Sequence, residues 1–125
     1  MRHVLTSNAP QPLGPYSQAI VAQNIVYVSG QLGIDPQNPT NRLSTAKQQA
    51  FQCLQNIAAI LREAGSTINH LLKVTVYLTD LKQWQDVNTV YTDFVGDHRP
   101  ARSVVVVSAL PGSYLVEIDA IAAIK

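Results

Sequence analysis

The chain has 125 residues, 46% of them apolar and 14% charged, with a formal net charge of +1. That length fits a single domain spanning residues 1–125 with a core of its own, and the charged share is low against the usual ~25%, which points to surface spent on an interface. A near-neutral balance without a basic block gives no support to nucleic-acid or anionic-membrane binding. No segment approaches the ~18 apolar residues of a membrane span, and "MRHVLTSNAPQP" has no apolar signal-peptide core. The lone cysteine, Cys53, cannot form an internal disulfide, so a reducing cytoplasm is the expected location.

In chain order, "RHVLT" alternates weakly and suits an edge strand. "NAPQPLGPY", with three prolines and a glycine, is a loop. "SQAIVA" and "IVYVSG" read as two strands joined by a tight turn at Gln23-Asn24. The polar, proline-rich "IDPQNPTNRLS" is a connection. Ala46, Ala50, Cys53, Leu54, Ile57, Ile60, Leu61 and Ala64 then recur at helical spacing. "TAKQ" has the form of a capping box and Gly65 stands where a left-handed residue ends a helix, so a helix is predicted over Thr45–Ala64, with Cys53 buried and inert.

"HLLKVTVYLTD" alternates as a strand, with Leu72, Val74, Val76 and Leu78 on one face and Lys73, Thr75, Tyr77 and Thr79 on the other. Thr79 or Asp80 can cap a second helix whose apolar stripe is Trp84, Val87, Val90, Tyr91, Phe94 and Val95, ending at Gly96. The valine run Val104–Val107, the loop "SALPGS" and a last strand "YLVEIDAIAAI" complete the chain. The fold class is therefore α+β, a mixed sheet with two helices on one face. The valine run is apolar on both faces and two helices cover only one, so the other face is expected to pack on a second subunit. A simple hairpin through "SALPGS" would make the Arg102 and Glu117 strands neighbours; six loop residues also permit a non-adjacent return.

Arg102, just ahead of the valines, is the first candidate for chemistry. A guanidinium fork can hold a carboxylate through two hydrogen bonds, although most arginines are solvated or paired within the chain. Glu117 shares a face with Leu115 and Asp119 in an apolar strand, where a carboxylate can deprotonate or orient a water, or can pair with Arg102 or Lys73; alternation does not separate it from Asp119. Tyr16 follows Gly14-Pro15 and can project over a site or anchor its loop. Ser29 and Gly30 stand at a strand end, where glycine permits close approach of a ligand. Asn88, a mediocre helix former, sits in mid-helix. His3, His70 and His98 have no metal-ligand spacing, and no nucleophile elbow, phosphate loop or Cys-x-x-Cys is present.

The segments "GPYSQA", "VYVSGQLGIDP", "AGSTINHLLKVTVYLTDL", "VNTVYTDFVGDHRPARS" and "LVEIDAIA" resemble, in order and over almost the whole chain, the Rid (YjgF) family and its RidA branch. The resemblance implies a chorismate mutase-like fold, with the last strand inserted between earlier ones, assembled as a homotrimer with clefts between subunits. It implies a cofactor-independent deaminase that hydrolyses reactive enamines and imines, such as 2-aminoacrylate and 2-aminocrotonate, to 2-keto acids and ammonia. Their source would be dehydratases that use pyridoxal phosphate. By the same resemblance Arg102 binds the substrate carboxylate, Glu117 positions the water, and Tyr16, Ser29, Gly30, Asn88 and Val104 line the substrate site.

Two positions depart from that pattern. Val104 stands where a cysteine is common and Val106 where a glutamate is common, which makes the cleft more apolar. Two other classes compete with the deaminase: a non-catalytic protein that binds small carboxylates in the same cleft, and a translation-inhibiting ribonuclease, which the near-neutral charge disfavours.

Overall fold

The computed structural model describes residues 1–124. β1 (Arg2–Val4), β2 (Ala19–Ala22) and β3 (Ile25–Leu32) form an antiparallel meander. Ala22 pairs with Ile25, leaving a two-residue turn in which Gln23 and Asn24 hold φ of 51° and 64°. Positive φ at both positions matches the turn to the right-handed twist of the strands. α1 (Ala46–Ala64) begins at Thr45, whose hydroxyl accepts from Gln48 N while the Gln48 side chain accepts from Thr45 N, so the expected capping box is present. It ends at Gly65, with φ 91°. Cys53, Leu54, Ile57, Ile60 and Leu61 form its buried face, each large aliphatic contributing about 1.5–3 kcal/mol on full burial. Burial pushes the Cys53 thiol far up, consistent with an inert core residue.

β4 (Leu71–Leu78) leads through Asp80, which accepts from Lys82 N and so caps a short 3-10 turn, into α2 (Trp84–Val95). β5 (Ala101–Val106) and β6 (Val116–Ala123) follow. The six strands lie in the order β1-β2-β3-β6-β4-β5. β6 is antiparallel to both β3 and β4, and β5 is parallel to β4 at the edge. The simple hairpin is thus corrected: β6 takes the gap between β3 and β4, where both of its edges find partners, and β5 is left with one.

Val26, Val28, Val74, Val76, Leu78, Val116, Ile118 and Ala120 are buried and join a single core with residues of α1 and α2. The alternate residues Tyr27, Lys73, Thr75, Tyr77, Glu117 and Asp119 occupy the other sheet face and remain partly or fully exposed. This is the uncovered face that the sequence led us to expect. The alternation of β4 needs one correction. Leu71 pairs with Ala122 and Lys73 with Ile121, so β4 carries one extra residue there. A bulge of this kind shifts the side-chain register: Leu71 takes the buried position and Leu72 is left 45% exposed. The valine run is also more open than its composition implies. Val104 is half-buried against the core, whereas Val105 and Val106 are exposed on the edge strand.

Buried amides tie down the long loops. Gln18 accepts from Thr6 N and donates to Thr6 O and Pro10 O, fixing the proline-rich segment before Tyr16. Gln49 donates to Leu43 O and accepts from Leu115 N, joining the connection after β3 to the start of β6. Each side chain satisfies backbone groups that no strand reaches. No helix among the described residues is long and apolar enough to cross a membrane.

Candidate functional site

The expected site residues fall into two groups on opposite faces of the sheet. Neighbouring residues in register point to the same side. Arg102 is in register with Val74, whose side chain is buried under the helices, and Glu117 is in register with Tyr77 on the uncovered face. Arg102 and Glu117 of one chain therefore do not share a cleft.

On the uncovered side, Tyr16, Ser29, Gly30 and Glu117 line a cleft of about 510 Å³ with Leu13, Leu32 and Pro111. The strand register creates it. Val28 pairs with Ala120 and Gln31 with Ile118, so β3 holds one residue too many at Ser29-Gly30 and bends there. The Ser29 hydroxyl donates to Ser17 O at 2.5 Å, joining this bend to the loop of Tyr16. Tyr16 is 52% exposed, and its hydroxyl accepts from Leu13 N. Burial first, and the neighbouring Asp119 second, hold the Glu117 carboxyl above its ordinary pKa. Tyr77 donates to Asp119 Oδ2 at 3.0 Å. The structure thereby separates the two acids that alternation left equivalent: Asp119 is engaged by a neighbour and Glu117 faces the cleft.

Gly30 is required by Glu117. A Cβ built at residue 30 would lie 2.1 Å from Glu117 Oε2 and 2.9 Å from its Cδ. Gly30→Ala should therefore force the carboxylate away from its present position over residue 30. A crystal structure of the variant checks this.

On the helix side, Asn88 and Arg102 line a second cleft of about 350 Å³ with Tyr91, Thr92, Val95, Arg99 and Pro100. Arg102 Nη1 donates to Asn88 Oδ1 at 2.9 Å. Its guanidinium carbon lies 4.6 Å from the ring centre of Trp84 and 4.8 Å from that of Tyr91. Val104, two residues further along the same strand, packs on the core and is not among the residues that line either cleft. Trp84 and Tyr91 were assigned by spacing to the apolar stripe of the helix; their offsets of four and three residues from Asn88 are the signal that sets them on the same helix face, beside Arg102. Leu13, Leu32 and Pro111 carried no signal at all. Among the described residues no three His, Cys, Asp or Glu side chains converge as a metal site.

A family model described as Endoribonuclease L-PSP, the YjgF/Rid family, matches residues 6–124. This chain belongs to the Rid family. The Rid chain is 47% identical to a RutC family protein of Pyrococcus horikoshii, over 95% of its own length and 94% of the relative's. It is 36% identical to the human 2-iminobutanoate/2-iminopropanoate deaminase, over 97% of its own length and 88% of the human protein's. The crystal structure of RidA from an Antarctic Psychrobacter superposes with a TM-score of 0.94 at 41% identity, covering 98% of this chain and 99% of that one. The α+β fold with its six-stranded mixed sheet is thus the fold of the Rid family.

Proposed function

We propose that this Rid protein is a cofactor-independent imine deaminase that hydrolyses 2-imino and enamino acids to 2-keto acids and ammonia. The observation that carries the reading is Glu117: a carboxylate held above its ordinary pKa, over a glycine whose missing side chain makes room for it, in an open cleft. Such a group can hold a water against a C=N carbon, take its proton during attack and return it to the departing nitrogen. Arg102 supplies the complement. Its charge is held by a neutral amide and two aromatic rings, so it is available to a substrate carboxylate.

Because the two groups sit on opposite faces of one sheet, the complete site joins Arg102 of one subunit to Glu117, Tyr16, Ser29 and Gly30 of another. Arg102 lies on the open edge strand β5, where a second copy can reach it. A homotrimer with sites between subunits meets that requirement. The imines of serine and threonine dehydratases that use pyridoxal phosphate are the expected substrates. The resemblance to the human deaminase supports this assignment of reaction class.

The test generates 2-aminocrotonate from threonine with a dehydratase, in the presence of semicarbazide as a competing trap. The wild type should divert flux from trapped imine to 2-oxobutanoate, and Arg102→Ala should not. A folded wild type that leaves the trapped fraction unchanged would remove the deaminase reading and favour a carboxylate-binding protein. The family description also carries an endoribonuclease reading, but a net charge of +1 offers little neutralisation to an RNA backbone.

A further inference from the structure

Trp84, Asn88 and Tyr91 stand at i, i+4 and i+7 of α2 and so share one face of the helix. All three meet one side chain that arrives from another element, Arg102 of the edge strand β5. The manner of that meeting is specific. A structural arginine is ordinarily neutralised by a carboxylate; here the holders are an amide oxygen and two ring faces. Rings attract a guanidinium through their quadrupole and suit its plane. The amide accepts one N–H and fixes the rotation of the fork. Neither consumes the positive charge. Arg99, the other cation of this cleft, is tied back to the carbonyls of Gly96 and His98, which leaves Arg102 as the guanidinium of this cleft without a backbone-carbonyl or carboxylate partner among its hydrogen bonds.

We propose that the Trp84–Asn88–Tyr91 face of α2 is a positioning device for the anion site, holding the Arg102 fork rigid and uncompensated so that a 2-keto or 2-imino carboxylate meets it ready-formed. The three are positioning residues, acting through Arg102. Tyr91 contributes its ring, since its buried hydroxyl has no hydrogen-bond partner. Trp84 is the only tryptophan of the chain. Its indole therefore reports directly on the charge above it, and filling the site quenches or shifts its emission. This inference rests on Arg102 as the carboxylate-binding group; it does not require that the bound carboxylate reacts.

The experiment is a titration of the purified, assembled protein with sodium 2-oxobutanoate, followed by tryptophan emission, with sodium chloride at equal ionic strength as the reference. The wild type should give a saturable change, and Arg102→Ala should give none. Asn88→Ala, which frees the fork without removing a ring, should raise the midpoint about 10-fold, the order of one lost hydrogen bond to a charged group. In turnover, Asn88→Ala and Trp84→Leu should raise KM with a smaller change in kcat, the pattern of lost carboxylate binding. Trp84→Phe, which restores a ring, should recover most of the KM that Trp84→Leu loses. A wild-type emission that follows chloride alone would overturn the proposal, as would an unchanged midpoint in Asn88→Ala or no difference in KM between Trp84→Phe and Trp84→Leu. A saturable, Arg102-dependent titration without any deamination would leave this inference standing and remove the deaminase reading; normal deamination with an unaltered Asn88→Ala midpoint would do the reverse.

Discussion

Replacing Glu117 by glutamine should slow imine hydrolysis by about 10²–10⁴ while leaving the protein as stable as before or more so. The two effects have one origin. Burial and the Asp119 carboxylate raise the Glu117 pKa, so the folded protein holds its proton more firmly than the unfolded chain does. A group of that kind contributes stability below its unfolded pKa, and the contribution is lost as pH rises through the raised folded value. At neutral pH the ionised carboxylate is therefore a net cost, which glutamine removes without changing the size of the side chain. Glutamine cannot accept the proton of the attacking water, and loss of a general base ordinarily reduces kcat by about 10²–10⁴. Wild-type kcat/KM should fall as pH falls through the raised Glu117 pKa, and the residual rate of Glu117→Gln should lack that limb. Kinetics and thermal denaturation of the same two proteins check the pair of effects. A Glu117→Gln protein with wild-type kcat would end the assignment of Glu117 as the base.

Mixing two inactive variants should restore activity. Arg102→Ala and Glu117→Gln each damage one half of the site, and the sheet places those halves on opposite faces of a chain. If each site takes its arginine from one subunit and its glutamate from another, a mixed assembly contains some sites with both residues intact. Random reassembly of equal amounts gives each site an intact arginine with probability one half and an intact glutamate with the same probability. The recovered activity should approach about one quarter of wild type, whatever the size of the ring. The double variant Arg102→Ala/Glu117→Gln mixed with wild type provides the control for exchange. If both residues served one site within a chain, the mixture of single variants would stay inactive after complete exchange.

Local chemistry explains which parts of the molecule were legible from sequence. α1 is written in its capping box, its 3.6-residue period and Gly65, all of which act within a few residues. The Gln23-Asn24 turn is legible for the same reason. Leu72 was misplaced because a bulge depends on how β4 meets β6, not on β4 alone. The placement of β6 between β3 and β4 likewise depends on pairing across the chain, which loop length leaves open; the family resemblance supplied it, and periodicity did not. At the site, alternation left Glu117 and Asp119 equivalent, and the Tyr77 hydroxyl separated them. Trp84 and Tyr91 belong to the apolar stripe as read, Tyr91 buried in the core and Trp84 packed against it; that their rings also hold a guanidinium was not legible, because an aromatic stripe looks the same in either case. The split of the site across two faces follows from the parity of register between β4 and its two neighbours, which periodicity leaves open; only the family resemblance, with its clefts between subunits, pointed to it.

The position of β6 also governs the order in which the molecule can be made. It is the last strand in sequence and joins the meander β1-β2-β3 to the pair β4-β5. During synthesis both β3 and β4 must wait with an unpaired edge until β6 has been produced. Such edges are templates for pairing with other chains, and contacts of high sequence separation form slowly. A nascent chain is thus most prone to aggregate in the interval before Val116–Ala123 emerges, and substitutions that weaken β6 should lower the yield of soluble protein more than equal losses of stability elsewhere in the sheet.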